Sequence, residues 1–250
     1  MKRLAFFILF IITIFIFKEQ ASAQSFSILH SFGSSSDDGQ YPFDNVILSG
    51  NTSYGMTING GANNLGTIFK VNKDGSDYSV LHSFEGDASD GSNPRGTLLL
   101  SDGILYGMTN SNNGAIFKLN TDGSGFTILH SFSRSVDDGR NPAGTLIISD
   151  GVLYGTTYLS NNYGTVFSIK TDGSRFSILH NFTGMPDDGS YPTGSLLLSD
   201  NTLYGTTMNG GTSDNGTIFK INIDVVQDYY KNKLLKYVDY LESLNRVEEE

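Results

Sequence analysis

Every histidine in this 250-residue chain falls in one recurring phrase: ILHSF with His30, VLHSF with His82, ILHSF with His130, and ILHNF with His180. The separations are 52, 48 and 50 residues. Pro42, Pro94, Pro142 and Pro192 keep the same rhythm, and so do Tyr54, Tyr106, Tyr154 and Tyr204 in the phrase YG(M/T)T. Three markers in phase make the chain four copies of one unit of about 50 residues. A repeat of that period must be read before any single segment, because each unit buries its apolar face only against its neighbours.

One unit divides at its turn signals into four strand-like pieces. In the copy that begins at Pro94, GTLLLS (96–101) is an apolar run suited to a buried strand, and Asp102-Gly103 turns the chain. ILYGMT (104–109) follows, then a polar loop, then AIFKLN (115–120) with alternating sides. Asp122-Gly123 marks a tight hairpin, since glycine accepts the positive φ that such turns need. FTILHSF (126–132) is the fourth piece, with Phe126, Ile128, His130 and Phe132 on one face. Four antiparallel strands per period of about 50 residues is the pattern of a propeller blade. The expected fold class is therefore all-β, a four-bladed β-propeller over 24–223.

The array begins on a fourth-type strand, 26–32, and its repeats stop on a third-type strand, 217–222. A first strand to spare and a last strand missing predict a ring closed by the N-terminal strand, which leaves no unpaired edge. An open array that dimerises into an eight-bladed ring is the alternative.

The flanks have a different character. Lys2 and Arg3 precede a run from Leu4 to Phe17 that is apolar except for Thr13, and Ala21-Ser22-Ala23 offers a small-x-small cleavage site. Residues 1–23 read as a cleaved signal peptide, the run being shorter than the roughly 20 apolar residues of a membrane span. No membrane span is expected after cleavage, and the product is expected outside the cell or on its surface. In 224–250, Val226, Tyr230, Leu234, Tyr237, Leu241 and Leu244 fall at spacings of three or four. That stripe predicts an amphipathic helix, packed on the propeller or used for self-association.

The chain has no cysteine, so packing and sheet hydrogen bonds must hold an exported fold without disulfides. It also excludes a thiol nucleophile and a thiolate metal site. With 16 basic and 26 acidic residues the net charge is −10. A surface of that sign repels phosphate backbones, and nucleic acid is not an expected partner.

The text LYG(M/T)T, a Gly/Asn-rich loop, GT(I/V)F, DGS, (I/V)LH(S/N)F, then DG and Pro, resembles the GloVer tandem repeat of bacterial secreted and surface proteins. The resemblance covers about 24–222 and implies an exported propeller-like protein; it implies no activity. Members of that family usually carry a C-terminal anchoring segment, and none is recognisable in the polar tail.

Propeller geometry places the second-to-third-strand loops (58–65, 110–113, 158–163 and 208–215) on one face, beside the DG-x-x-P segments. Loops on a rigid scaffold are where binding residues concentrate. The candidate ligand-binding residues are Asp38, Asp90, Asp138 and Asp188 with Asn63, Asn112, Asn162 and Asn215. Symmetric carboxylates and amides suit a divalent cation such as calcium, or the hydroxyls of a glycan. The competing reading of Asp-Gly before Pro is turn chemistry, with the carboxylate capping backbone N–H groups. No cofactor is otherwise implied, and a glycan or another surface protein is the expected partner.

One histidine per blade on an outer strand separates the four rings too widely for one site, so they read as packing positions. Familiar nucleophile, zinc-protease and nucleotide motifs are missing. Asn51, Asn181 and Asn215 each open an N-x-(S/T) sequon, which has meaning only in a eukaryotic host. A binding or scaffold module is the leading reading, and a propeller-type hydrolase or lyase is the alternative. An enzyme would break the repeat's symmetry with a carboxylate pair in one blade. Arg95 and Arg140 break it near the mouth, and neither comes with such a pair.

Overall fold

The computed structural model describes residues 25–223, apart from 88, 134, 136, 137, 160–162 and 185. The signal segment and the tail helix expected from the sequence lie outside the described residues, and so does Asn162. The described chain is all-β, with five antiparallel sheets: one for each of the first three repeats and two for the fourth. None of its helices is long and apolar enough to cross a membrane.

In the first blade, β1 (Gly39–Pro42) and β2 (Ile47–Ser49) both pair with β3 (Thr52–Gly60), followed by β4 (Thr67–Asn72) and β5 (Ser79–Ser83). The second runs β6 (Pro94–Ser101), β7 (Ile104–Thr109), β8 (Ala115–Asn120), β9 (Thr127–Ser131). The third runs β10 (Arg140–Ser149), β11 (Val152–Leu159), β12 (Thr165–Lys170), β13 (Ser177–Asn181). In the fourth, β14 (Gly189–Ser190) pairs with β17 (Asn209–Gly210), while β15 (Leu197–Ser199), β16 (Thr202–Thr207) and β18 (Thr217–Asn222) form a three-stranded sheet.

The inner strand is longer than the apolar run suggests. It starts at Pro94 in β6 and at Arg140 in β10, while in the first and fourth blades the same stretch is split into two short strands. Its register with the next strand shifts between Arg95 and Leu99 in β6 and between Ala143 and Ile147 in β10. A bulge of this kind bends the strand and re-aims its first residues. At the bulge, neighbouring blades touch through backbone. The N–H of Thr97 donates to Thr145 Oγ1 at 3.1 Å, and the N–H of Thr145 donates to Ser195 Oγ at 2.9 Å. A Cβ on Gly96 would run into the carbonyl of Gly144, and Gly96 also holds φ +83. Glycine is required there on both counts.

The core lies between blades. Tyr54, Met56, Ile68 and Phe84 on one face of the first blade pack with Leu98, Leu105, Phe117 and Leu119 of the second. Tyr106, Met108, Ile116 and Phe132 meet Leu146, Leu153, Phe167 and Ile169 in the same way. Tyr154, Val166 and Phe182 meet Leu196 and Leu203. The alternation of period two thus gives each sheet two apolar faces, one for each neighbour.

The expected closure by an N-terminal strand is not formed. Residues 25–38 contain no strand, and among the described residues β18 pairs only with β16. Strand addition needs the two backbones about 4.8 Å apart. Here the two ends of the array stay separate, with Phe26 90 % and Ile218 84 % exposed.

Candidate binding cleft

The four candidate aspartates all sit where an outer strand hands over to the next blade, and each is engaged by its own repeat. Nε2 of His30 lies 3.2 Å from the Asp38 carboxylate, and the same pair is 2.5 Å for His82–Asp90, 2.6 Å for His130–Asp138 and 3.1 Å for His180–Asp188. A carboxylate only accepts, so each ring donates through Nε2–H. Oδ2 of each carboxylate accepts a backbone N–H, from Ser34 at 3.1 Å, Glu85, Ser133 at 2.6 Å and Thr183 at 2.9 Å. The ring lies on the other oxygen in Asp90 and Asp138 and within reach of both in Asp38 and Asp188. The following glycine packs against a threonine pair in the first, third and fourth blades and against Thr109 alone in the second; a Cβ on Gly39 would lie 2.6 Å from Thr57. The Asp-Gly step is thus a clamp that pins the loop to the outer strand, as its turn chemistry allows.

Three of the four histidine rings in turn stack on an aromatic that leads into the next outer strand. Centroid distances are 3.4 Å for His30–Tyr78, and 3.8 Å for both His82–Phe126 and His130–Phe176. His180 has no such stacked ring among the described residues, and its side chain is 41 % exposed against 17–21 % for the other three. Only the first joint carries a tyrosine, whose hydroxyl donates to Asp38 at 2.5 Å. Burial pushes the Asp38 carboxyl up, but hydrogen bonds from Tyr78, Ser34 and His30 outweigh it and hold the pKa at about 2. For Asp188, burial again raises and the N–H groups of Thr183 and Gly189, with His180, lower it; the net direction is down.

The candidate asparagines are peripheral. Asn63 and Asn215 are exposed on their loops, and Asn112 occupies a left-handed position in the 3-10 turn Ser111–Asn113. Among the described residues no group of three or more histidine or carboxylate side chains is arranged to hold a metal.

The concavity on this face lies closer to the inner strands. A cleft of about 650 Å³ is lined by Phe43, Asp44, Arg95, Asn110, Asn141 and Tyr158, with Ala143, Thr193, Met208 and the intervening backbone. Seven of its lining residues come from two positions of the repeat. Phe43, Arg95, Ala143 and Thr193 each follow the phase-locked proline, and Asn110, Tyr158 and Met208 each follow the YG(M/T)T phrase. At both positions the repeats disagree, although the proline and the threonine that precede them keep phase. Sequence reasoning singled out Arg95 here but passed over Tyr158 and Asn141. The signal that finds them is the mismatch between aligned repeats.

Second-blade and third-blade walls are tied across the cleft floor. Asn110 Nδ2 donates to the Pro142 carbonyl at 3.2 Å, and Asn141 Nδ2 donates to the Asn110 carbonyl at 2.9 Å. Asp44 accepts from the Gly96 N–H at 2.9 Å. Arg95 is exposed, with its guanidinium carbon 5.7 Å from the centroid of the Phe43 ring. That stacking fixes a cation over an aromatic face at the cleft edge while leaving its donors outward.

Among curated proteins, none matches the sequence. Solved structures that are similar in backbone include the following three. In a nidogen/laminin complex, the matched chain is 20 % identical, with 70 % of this chain and 56 % of that one covered and a TM-score of 0.48. A putative TolB from Agrobacterium tumefaciens is 13 % identical, over 68 % and 54 %, at 0.41. The Trypanosoma rangeli sialidase in complex with the inhibitor DANA is 12 % identical, over 75 % and 32 %, at 0.43. The chain thus spans about half the length of the first two and a third of the last. The model of the Gloeobacter/Verrucomicrobia repeat matches residues 13–157 and again 110–234, and with the in-phase markers and four blades already described, the chain belongs to that repeat family.

Proposed function

We propose that this is an exported propeller-type binding module whose axial cleft holds a polar glycan. The observation that carries the reading is the coincidence of sequence and shape. The repeats share the markers that build each blade, and at the two positions that supply seven of the cleft's lining residues they differ. A cavity in the range of about 300–1,000 Å³, with aromatic faces and a few fixed polar groups, is what a small-molecule site requires. Tyr158 offers a ring for a sugar face, while the amides of Asn110 and Asn141 suit hydroxyls. Arg95 favours a sugar that bears a carboxylate. The aspartate clamps act beside the site by fixing the mouth loops. Export rests on the segment 1–23, and the blade count on the four repeats.

Binding of a panel of neutral and acidic oligosaccharides, followed by calorimetry, tests this. One acidic member should bind, and Arg95→Ala should weaken it at least tenfold while the thermal melt stays unchanged. No heat with any member, or binding indifferent to both Arg95→Ala and Tyr158→Ala, would refute the cleft as the site.

A further inference from the structure

Each interior blade buries one face against the blade before it and one against the blade after it, and at the two ends of the array these faces have no partner among the described residues. On the fourth blade, Ile218 is 84 % exposed, while its repeat equivalents Ile68, Ile116 and Val166 are fully buried. Tyr204 is partly exposed where Tyr54, Tyr106 and Tyr154 are buried. On the first blade, Val46 is 53 % exposed where Leu98, Leu146 and Leu196 are buried, and Leu48 stands out beside it. Phe26, Ile28 and Leu29 protrude from the segment ahead of the blade.

These two faces match each other. The leading face of the first blade is built like the faces that the third blade's neighbour buries, and the trailing face of the fourth like those of the first three. The single chain does not bring them together: three complete interblade cores are formed and the ends remain apart. The backbone contacts at Gly96–Gly144 and Gly144–Ser195 leave little room to open the angle between blades.

We propose that two copies of the chain complete one another head to tail, as an eight-bladed ring. A trailing face meeting a leading face is a heterologous contact, and two copies close it with two identical interfaces. Propellers run from about four to eight blades, so two is the number of four-bladed copies that fits. Residues 26–32 of one copy add to the free edge of β18 in the other. The register follows from the repeat: Thr67 pairs with Ser83 and Ile68 with His82, so Thr217 takes Ser31 and Ile218 takes His30 of the second copy. Phe26 of that copy then covers His180, as Tyr78, Phe126 and Phe176 cover the other histidines. The series of N–H-to-hydroxyl bonds, Asn45 to Thr97 to Thr145 to Ser195, continues from the Ser195 N–H to the Asn45 side chain of the second copy.

The absence of native cysteine makes the test clean. The chain from Gln24 to Glu250 should have twice the single-chain mass by light scattering at micromolar concentration. A Thr217→Cys chain mixed with a Ser31→Cys chain should form a disulfide-linked heterodimer on oxidation, and neither chain alone should do so. A single-chain mass overturns the proposal. So does a Thr217→Cys/Ser31→Cys double variant that oxidises only within one chain, which would place the closure in cis. A dimer that never cross-links at this pair would put the contact elsewhere, and the proposal fails then too.

Discussion

Ile116 and Ile218 hold the same place in their repeats, yet the first is sealed between the second and third blades and the second is 84 % exposed at the end of the fourth. Their strands pair alike on one side, since Ile116 faces Met108 and Ile218 faces Thr206. On the other side, β8 carries β9, with Ile116 opposite His130, whereas β18 has no fourth strand among the described residues. The difference teaches that a blade in this protein is not a folding unit on its own. Its sheet hydrogen bonds are local, but its apolar faces are shared with neighbours, as in other repeat arrays.

The strongest way to break the comparison is to cut both side chains. Ile116→Ala should cost about 2–5 kcal/mol, because a fully buried isoleucine leaves a cavity that packed neighbours cannot fill. Ile218→Ala should cost within about 0.5 kcal/mol in an isolated chain, as surface changes do. In a two-copy ring its cost should climb toward that of Ile116 and vary with protein concentration. Chemical denaturation at two concentrations separates these outcomes.

The histidines sharpen the same contrast at smaller scale. His130→Ala removes a ring stacked on Phe176 and the Nε2–H donor to a partly buried carboxylate, and should cost about 1–3 kcal/mol. His180→Ala should cost less in the single chain, where Phe182 packs edge-on but no ring stacks on its face among the described residues. Glycan binding should survive both changes, since neither ring lines the cleft. Thermal melts with and without ligand check this; lost binding with unchanged stability would contradict the clamp role.

The first joint differs from the second by one hydroxyl. Asp38, with Tyr78 as an extra donor, sits near a pKa of about 2 against an ordinary 3.8. A carboxyl depressed by folding stabilises the fold above about pH 4, and that contribution fades as pH falls from about 4 toward 2. Tyr78→Phe copies the residue found at the second and third joints. It should move the Asp38 titration upward, read by carboxyl-carbon NMR, and make acid unfolding begin at higher pH.

Much of this was legible in the sequence, for a physical reason. The blade pattern rests on period-two alternation and on Asp-Gly turns, which act over a few residues and print directly into each repeat. The inner strand was read as starting at Gly96, because the bulge that lets Pro94 and Arg95 rejoin the sheet has no local signature. The aspartates were legible as turn residues or as ligands, and only the eightfold sequence step to His30, His82, His130 and His180 decides how their oxygens are used. Ring closure was argued from strand counting alone. Counting strands is blind to the angle between blades, where backbones approach closely at Gly96 and Gly144. The cleft was missed as such because Arg95, Asn110 and Tyr158 come from different repeats, and each looks like an ordinary surface residue until the copies are aligned.

The smallest contrast lies inside the second blade. In the other three, two threonine hydroxyls meet across the sheet: Thr57–Thr67 at 2.8 Å, Thr157–Thr165 at 2.7 Å and Thr207–Thr217 at 2.8 Å. In the second blade Ala115 replaces the partner, and the buried Oγ1 of Thr109 is left without a hydrogen bond among the described residues. An unsatisfied buried hydroxyl forfeits the interaction that its burial cost. Ala115→Thr should restore the pair and raise stability by about 1 kcal/mol, and Thr109→Val should recover a similar amount by removing the orphan instead. If denaturant midpoints show Thr109→Val destabilising while Ala115→Thr is neutral, the hydroxyl has a partner in solution, and the second blade is not the weaker of the interior two on this ground.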